Sequence, residues 1–193
     1  FRIRALLYSI ICIMNLRDHI HTWFSTVVVD MEVRRSAEKN IMEWLENEKY
    51  WSYKEQLLYM IEQWFWDELI DSFYQVLPFG TGWRRGLVGV WPNRINPYTI
   101  MSSAQWHSQY LLEKRWDEAK EKWIVLGYDV RKFTNSIYLP DGMNSPLRNL
   151  DGKKLIEYAA SVYAANWIHV YLFPSYASVS YTHLTLPTKP SVG

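Results

Sequence analysis

The stretch that most limits the fold is a strand, a helix and a second strand, met in that order in the last third of the chain. Trp123-Ile124-Val125-Leu126-Gly127-Tyr128 is a continuous apolar run, the pattern of a strand buried on both faces. Asp151 stands where it can cap a helix with Leu155, Ile156, Ala159, Val162 and Tyr163 on its inner face. Ile168-His169-Val170-Tyr171-Leu172-Phe173 is the second strand, closed by Pro174. Such a unit has parallel strands and a right-handed crossover, because a right-twisted strand returns onto its own sheet only that way. The expected class is α/β. Ligands of open α/β sheets collect beyond the carboxyl ends of the strands, which singles out Asp129 and Arg131 just past the first strand. An exposed ion pair accounts for the same two residues equally well.

The chain before this unit reads as helical. From about Ser36 to Tyr74, apolar residues recur at three- and four-residue steps: Ile41, Trp44 and Leu45, then Leu57, Leu58, Ile61, Trp64, Phe65, Leu69, Ile70 and Phe73. Glu43, Glu46, Glu48 and Glu62 lie among lysines with no histidine at helical spacing, so they form a solvated face and not a metal site. Asn96-Pro97 starts another helix, running to about Glu113: asparagine accepts from an early free N–H, and proline gives up a donor that had no partner. Its inner face is Ile100, Ala104, Ser108 and Leu111, joined by Met101 and Leu112. Its N-terminus, with Arg94 just ahead, adds partial positive charge to any anion site nearby, although an ordinary capped helix needs no such role. Residues 115–122 are a charge run read as a solvated turn and helix end, and 133–150 form a long loop with turn residues Pro140-Asp141-Gly142 and Asn144-Ser145-Pro146. His107 and His169 are read as packed residues, since neither has ligand-type neighbours in sequence.

Between the two regions lies Leu77-Pro78-Phe79-Gly80-Thr81-Gly82-Trp83-Arg84-Arg85-Gly86. Glycines let the backbone close on a ligand, and guanidinium forks suit an anion, so the combination points to phosphate. The formal net charge is only +1, which gives no general attraction to nucleic acid or anionic membrane, so any anion site is local. The single cysteine, Cys12, excludes an internal disulfide and a structural zinc site, and a cytoplasmic location is expected. Phe1-Arg2-Ile3-Arg4 and the apolar run from Ala5 to Met14 imitate a signal peptide. The run is shorter than the roughly 20 residues a bilayer needs and no small-residue cleavage site follows, so Met14 is read as the start and residues 1–13 as upstream read-through.

Four motifs, taken in order, resemble the α-D-phosphohexomutases, the phosphoglucomutase and phosphomannomutase family. They are Phe79-Gly80-Thr81-Gly82-x-Arg84-Arg85-Gly86, Asn93-Arg94-Ile95-Asn96, Gly127-Tyr128-Asp129-Val130-Arg131, and Ala164-Ala165-Asn166-x-Ile168-His169-Val170-Tyr171. The resemblance implies a three-layer α/β/α domain with a mixed, mainly parallel sheet, here spanning 76–177 and truncated, after a helical leader at 14–75. It further implies a cytoplasmic enzyme that moves a phosphoryl group between the 1- and 6-positions of a hexose phosphate through a phosphoserine, with Mg2+ held by aspartates. Glucose, mannose or pentose phosphate preference stays open, as does oligomeric state. Carried over by position, Thr81 and Gly82 supply a backbone cradle, Arg85 and Arg131 bind phosphate, and Arg94 and Asp129 support them. The serine loop and the magnesium loop of the family have no counterpart in the sequence, so the chain itself is expected to be inactive with no metal of its own, and its parent active. Neither nucleic acid nor membrane is an expected partner. The alternative is a stand-alone phosphate- or nucleic-acid-binding module with tryptophans as stacking platforms.

Two further readings concern the integrity of the text. Residues 178–193 have no helical period and resemble a translated sequencing adapter, so they are read as an artefactual tail. The chain has 11 Trp and only 8 Gly. Trp83, Trp91, Trp106 and Trp167 fall where the family pattern has glycine, as Trp116 and Trp123 plausibly do. A UGA codon read as glycine in the source and as tryptophan here explains the coincidence.

Overall fold

A computed structural model describes residues 16–26, 30–78, 86–130, 132–134 and 136–176. Residues 16–26 form the first helix, α1. Three helices follow: α2 (Met31–Glu46), α3 (Trp51–Glu62) and α4 (Trp66–Phe73). Asp30 caps α2 by accepting from the backbone N–H groups of Glu32 and Val33. Ile41, Leu45, Leu57, Met60, Leu69 and Phe73 are all buried, so the three- and four-residue periodicity does mark one shared core. Trp44 lies at its centre, stacked on Tyr50 at 4.2 Å between ring centroids, and the Tyr50 hydroxyl donates to that of Tyr98 at 3.0 Å. Burial and the Tyr98 hydroxyl push the Tyr50 phenol well above its ordinary range.

The second half contains α5 (Pro97–Lys114), α6 (Trp116–Glu121), β1 (Ile124–Leu126), α7 (Gly152–Ala165) and β2 (Val170–Leu172). Asn96 caps α5 in a full capping box: its side chain accepts from the Thr99 N–H, and the Thr99 hydroxyl accepts from the Asn96 N–H. Asp151 caps α7 through the Lys154 N–H. The charge run at 115–122 folds into α6, held by Arg115 and Lys122 on Glu118.

Strands β1 and β2 pair in parallel, Ile124 opposite Val170 and Leu126 opposite Leu172. The fold is thus α/β, and the strand–helix–strand expectation holds. Ile124, Leu126 and Val170 pack on a second small core made by Ala104 of α5 with Ala159, Val162 and Tyr163 of α7.

Several expectations are corrected. β1 is not buried on both faces: Val125 is 56% exposed, and Tyr171 beside it 50%. Helices cover one face of the pair, and the described residues show two strands of the expected sheet. Continuous apolar patterning reports the character of both faces but not whether this stretch supplies both covers. His169 is exposed and stacks on Trp123 at 5.2 Å, because it alternates onto that same outer face. His107 is exposed too, with Nδ1 2.8 Å from the Tyr163 hydroxyl. Met101 lies on the outer side of α5. Trp64 is 59% exposed because α3 ends before it, and it does not extend the apolar face of that helix.

Candidate functional site

A largely buried polar cluster is built where the chain returns from Gly86 to Asn96 and meets the end of α4. The last carbonyls of a helix have no intrahelical partners and must find donors elsewhere. Asn93 supplies two: its N–H donates to Ser72 O at 3.0 Å and its Nδ2 to Asp71 O at 2.8 Å. Asn40 Nδ2 donates to Phe73 O at 2.6 Å. Arg94 then reaches across, and its Nε and Nη2 both donate to Glu68 Oε1, at 3.2 and 2.9 Å. Nη2 also donates to Asp71 Oδ2 and Nη1 to Asn93 O. The Arg94 side chain is 5% exposed and that of Glu68 23%, so this ion pair is largely withdrawn from water. Ser72 Oγ completes the coordination of Glu68 Oε1 at 2.7 Å.

The cluster holds a narrow neck. Leu77 N–H donates to Pro92 O at 2.7 Å, Ile95 N–H to Leu87 O at 2.8 Å, and Gly89 N–H to Ile95 O at 3.1 Å. A Cβ on Gly86 would come within 3.0 Å of Leu77 Cδ1, so Leu77 and Gly86 must lie close together for the chain to pass. Asn96, wholly buried, locks the neck from beneath: Nδ2 donates to Gly89 O at 3.0 Å and to Trp91 O at 2.9 Å. The residues on either side of the glycine-rich segment, Leu77 and Gly86, are thereby held side by side.

A second placement concerns the carboxyl end of β1. A Cβ on Gly152, the first residue of α7, would overlap the backbone carbonyl of Asp129. Lys132 bridges to Asp151 and Phe133 N–H donates to Leu150 O at 2.9 Å. The segment after β1 is thus drawn against the N-terminus of α7, the end where unpaired N–H groups favour negative charge.

Of the residues singled out from sequence, Thr81, Gly82, Arg85 and Arg131 lie outside the described residues, as do Trp83 and the segments 1–13 and 178–193. Arg94 and Asp129 are described and belong to the two separate places above. Arg94 faces carboxylates, and an anion approaching its guanidinium would have to displace Glu68 and Asp71. Glu68 and Asp71 were not legible as its partners. They precede it by 26 and 23 residues and carry no motif, although a buried arginine always implies a nearby acceptor. Among the described residues no three of His, Cys, Asp or Glu gather where they could hold a metal ion. No helix among them is long and apolar enough to cross a membrane.

The geometry defines a parallel βαβ unit and, apart from it, a polar cluster that ties residues 86–96 to α4. Comparison with known proteins adds a direction. The chain is 28% identical over 120 residues to the phosphopentomutases of Homo sapiens and Pongo abelii, a span of 62% of this chain and 18% of theirs. The chain is therefore similar to part of a phosphomutase, and it covers less than a fifth of the length of these relatives. No family model matches it, and no solved structure does.

Proposed function

We propose that this chain is part of a longer sugar-phosphate mutase, an isomerase that moves a phosphoryl group between two positions of one sugar through a phosphoserine. The observation that carries the reading is the 120-residue similarity to phosphopentomutases. The four ordered motifs support it from the residues themselves. In this reading Arg85 and Arg131 neutralise phosphoryl oxygens, Thr81 and Gly82 lend backbone N–H groups, and Asp129 orients the chain at the end of β1. Phosphoryl transfer asks a protein mainly for position and charge neutralisation, and these residue types supply both. Arg94 acts through the fold, tying residues 86–96 to α4. Magnesium, which the resemblance implies for the parent, would be held by residues outside this chain.

The substrate class is a sugar phosphate, with hexose implied by the motifs and pentose by the name of the relatives. Purified full-length protein, offered glucose 1-phosphate, mannose 1-phosphate and ribose 1-phosphate with magnesium, is expected to isomerise at least one to its 6- or 5-phosphate. The 193-residue chain alone is expected to isomerise none. A full-length protein inert toward all three would end the proposal, and an active 193-residue chain would end the claim that the chemistry needs the missing loops.

A further inference from the structure

Two helices end in the same way with the same improbable residue. After α3, Trp64 N–H donates to Ile61 O at 3.2 Å and Phe65 N–H to Met60 O at 3.1 Å. After α7, Trp167 N–H donates to Ala164 O at 3.0 Å and Ile168 N–H to Tyr163 O at 3.0 Å. Each is the Schellman pair of bonds, in which the residue two past the last helical one turns left-handed so that the orphan carbonyls are met. Trp64 has φ 64° and Trp167 φ 60°. The apolar contact that accompanies the motif is also present, since Ile168 and Tyr163 are buried in one cluster. Everything about the two turns is ordinary except the side chain, for this position is glycine's by preference and, failing glycine, asparagine's.

A bulky residue gains little packing at either position. Trp167 is 80% exposed. Trp64 is 59% exposed and meets the rings of His19 and Trp23 edge-on, at 5.9 and 5.4 Å between centroids. Among the described residues the other side chains at positive φ are Asn149, which tolerates that region, and Trp91 at φ 106°. Tryptophan thus takes three of the four places in a chain that holds more Trp than Gly. The backbone makes no such demand at Trp106, Trp116 or Trp123, which do not have positive φ. Trp91 is a divided case, because its ring is 2% exposed and packs on Phe73 at 4.6 Å.

We infer that positions 64 and 167 are glycine in the native protein, specified by a codon that the source reads as glycine and that is rendered here as tryptophan. The inference rests on backbone geometry at two helix ends and is independent of the proposed activity. Position 64 lies outside the four phosphohexomutase-like motifs.

Tandem mass spectrometry of the native protein should find glycine in the peptides that span both positions; tryptophan at either overturns the inference for that position. Recombinant chains give a second reading. Trp64→Gly and Trp167→Gly should each melt about 2 to 4 °C above the matching Trp→Ala variants, since alanine also removes the indole but keeps the Cβ that the left-handed backbone resists. Glycine variants that melt at or below the alanine ones would overturn the inference from the side of stability.

Discussion

Replacing Arg94 by methionine tests whether this residue is the tie between residues 86–96 and α4. Methionine keeps much of the side chain's apolar length and removes every donor. What remains is Glu68, its side chain 23% exposed, with one of its three donors, Ser72, still in place. Breaking a buried ion pair by deleting one partner typically costs about 3 to 5 kcal/mol. The residual exposure of Glu68 and its serine contact set the expectation at the lower end, about 3 kcal/mol. Asp71 contributes little, because its side chain is 60% exposed and a solvated pair is worth roughly 0 to 1 kcal/mol. The expected order of destabilisation is therefore Arg94→Met, then Glu68→Gln, then Asp71→Asn. The double variant Arg94→Met/Glu68→Gln should lose about 1 to 2 kcal/mol less than the sum of the single losses, since the stranded charge is gone. Urea unfolding followed by circular dichroism measures all four, and the order should persist in high salt because screening reaches a buried pair poorly. An Arg94→Met cost below about 1 kcal/mol, or an Asp71→Asn cost equal to that of Glu68→Gln, would refute the reasoning.

Three other perturbations follow from the same geometry. Asn96→Asp keeps an acceptor for the Thr99 N–H but strips the donors to Gly89 O and Trp91 O, so it should cost more than the corresponding Thr99→Val change, about 2 to 3 kcal/mol by urea unfolding. Gly152→Ala forces its Cβ onto the Asp129 carbonyl and should destabilise by about 1 to 3 kcal/mol, whereas Gly142→Ala meets no atom nearby and is opposed by its φ of 88° alone. The His107–Tyr163 pair makes stability depend on pH at both ends. Partial desolvation of the ring against Tyr163 holds His107 below its ordinary 6.5, although much of the residue faces solvent, so its contribution is complete above that value and is lost as pH falls below it. Burial pushes Tyr163 up to about 12 from 10.0, so its contribution is complete below pH 10 and is lost as pH rises through 12. Melting temperature against pH should show both limbs, with His107→Phe flattening the acid one and Tyr163→Phe the alkaline one.

The helices and their ends were legible because they are local. Asn96-Pro97 and Asp151 declare helix starts through groups that lie within three residues, and the structure uses both as caps. The βαβ order was legible because an apolar run, a periodic stretch and a second run leave few ways to fold. The candidate site was less so. A basic residue before a helix start reads as an anion ligand, and only the return of α4 beneath it shows Arg94 engaged by Glu68 and Asp71. Distance along the chain hides such a pairing, since one sequence states which residues need partners and not which partners arrive.

The same division runs through the whole molecule. The sequence by itself determined the α/β class, the helix caps, the parallel pairing and the presence of a glycine- and arginine-rich segment with the composition of a phosphate loop. Only the tertiary structure decided that one face of β1 and β2 is left to solvent, that Leu77 and Gly86 lie side by side, and that α3 and α7 end on left-handed tryptophans. Caps and periods are set by bonds a few residues long, whereas exposure, close approaches and the sign of φ are set by what the rest of the chain brings against each residue.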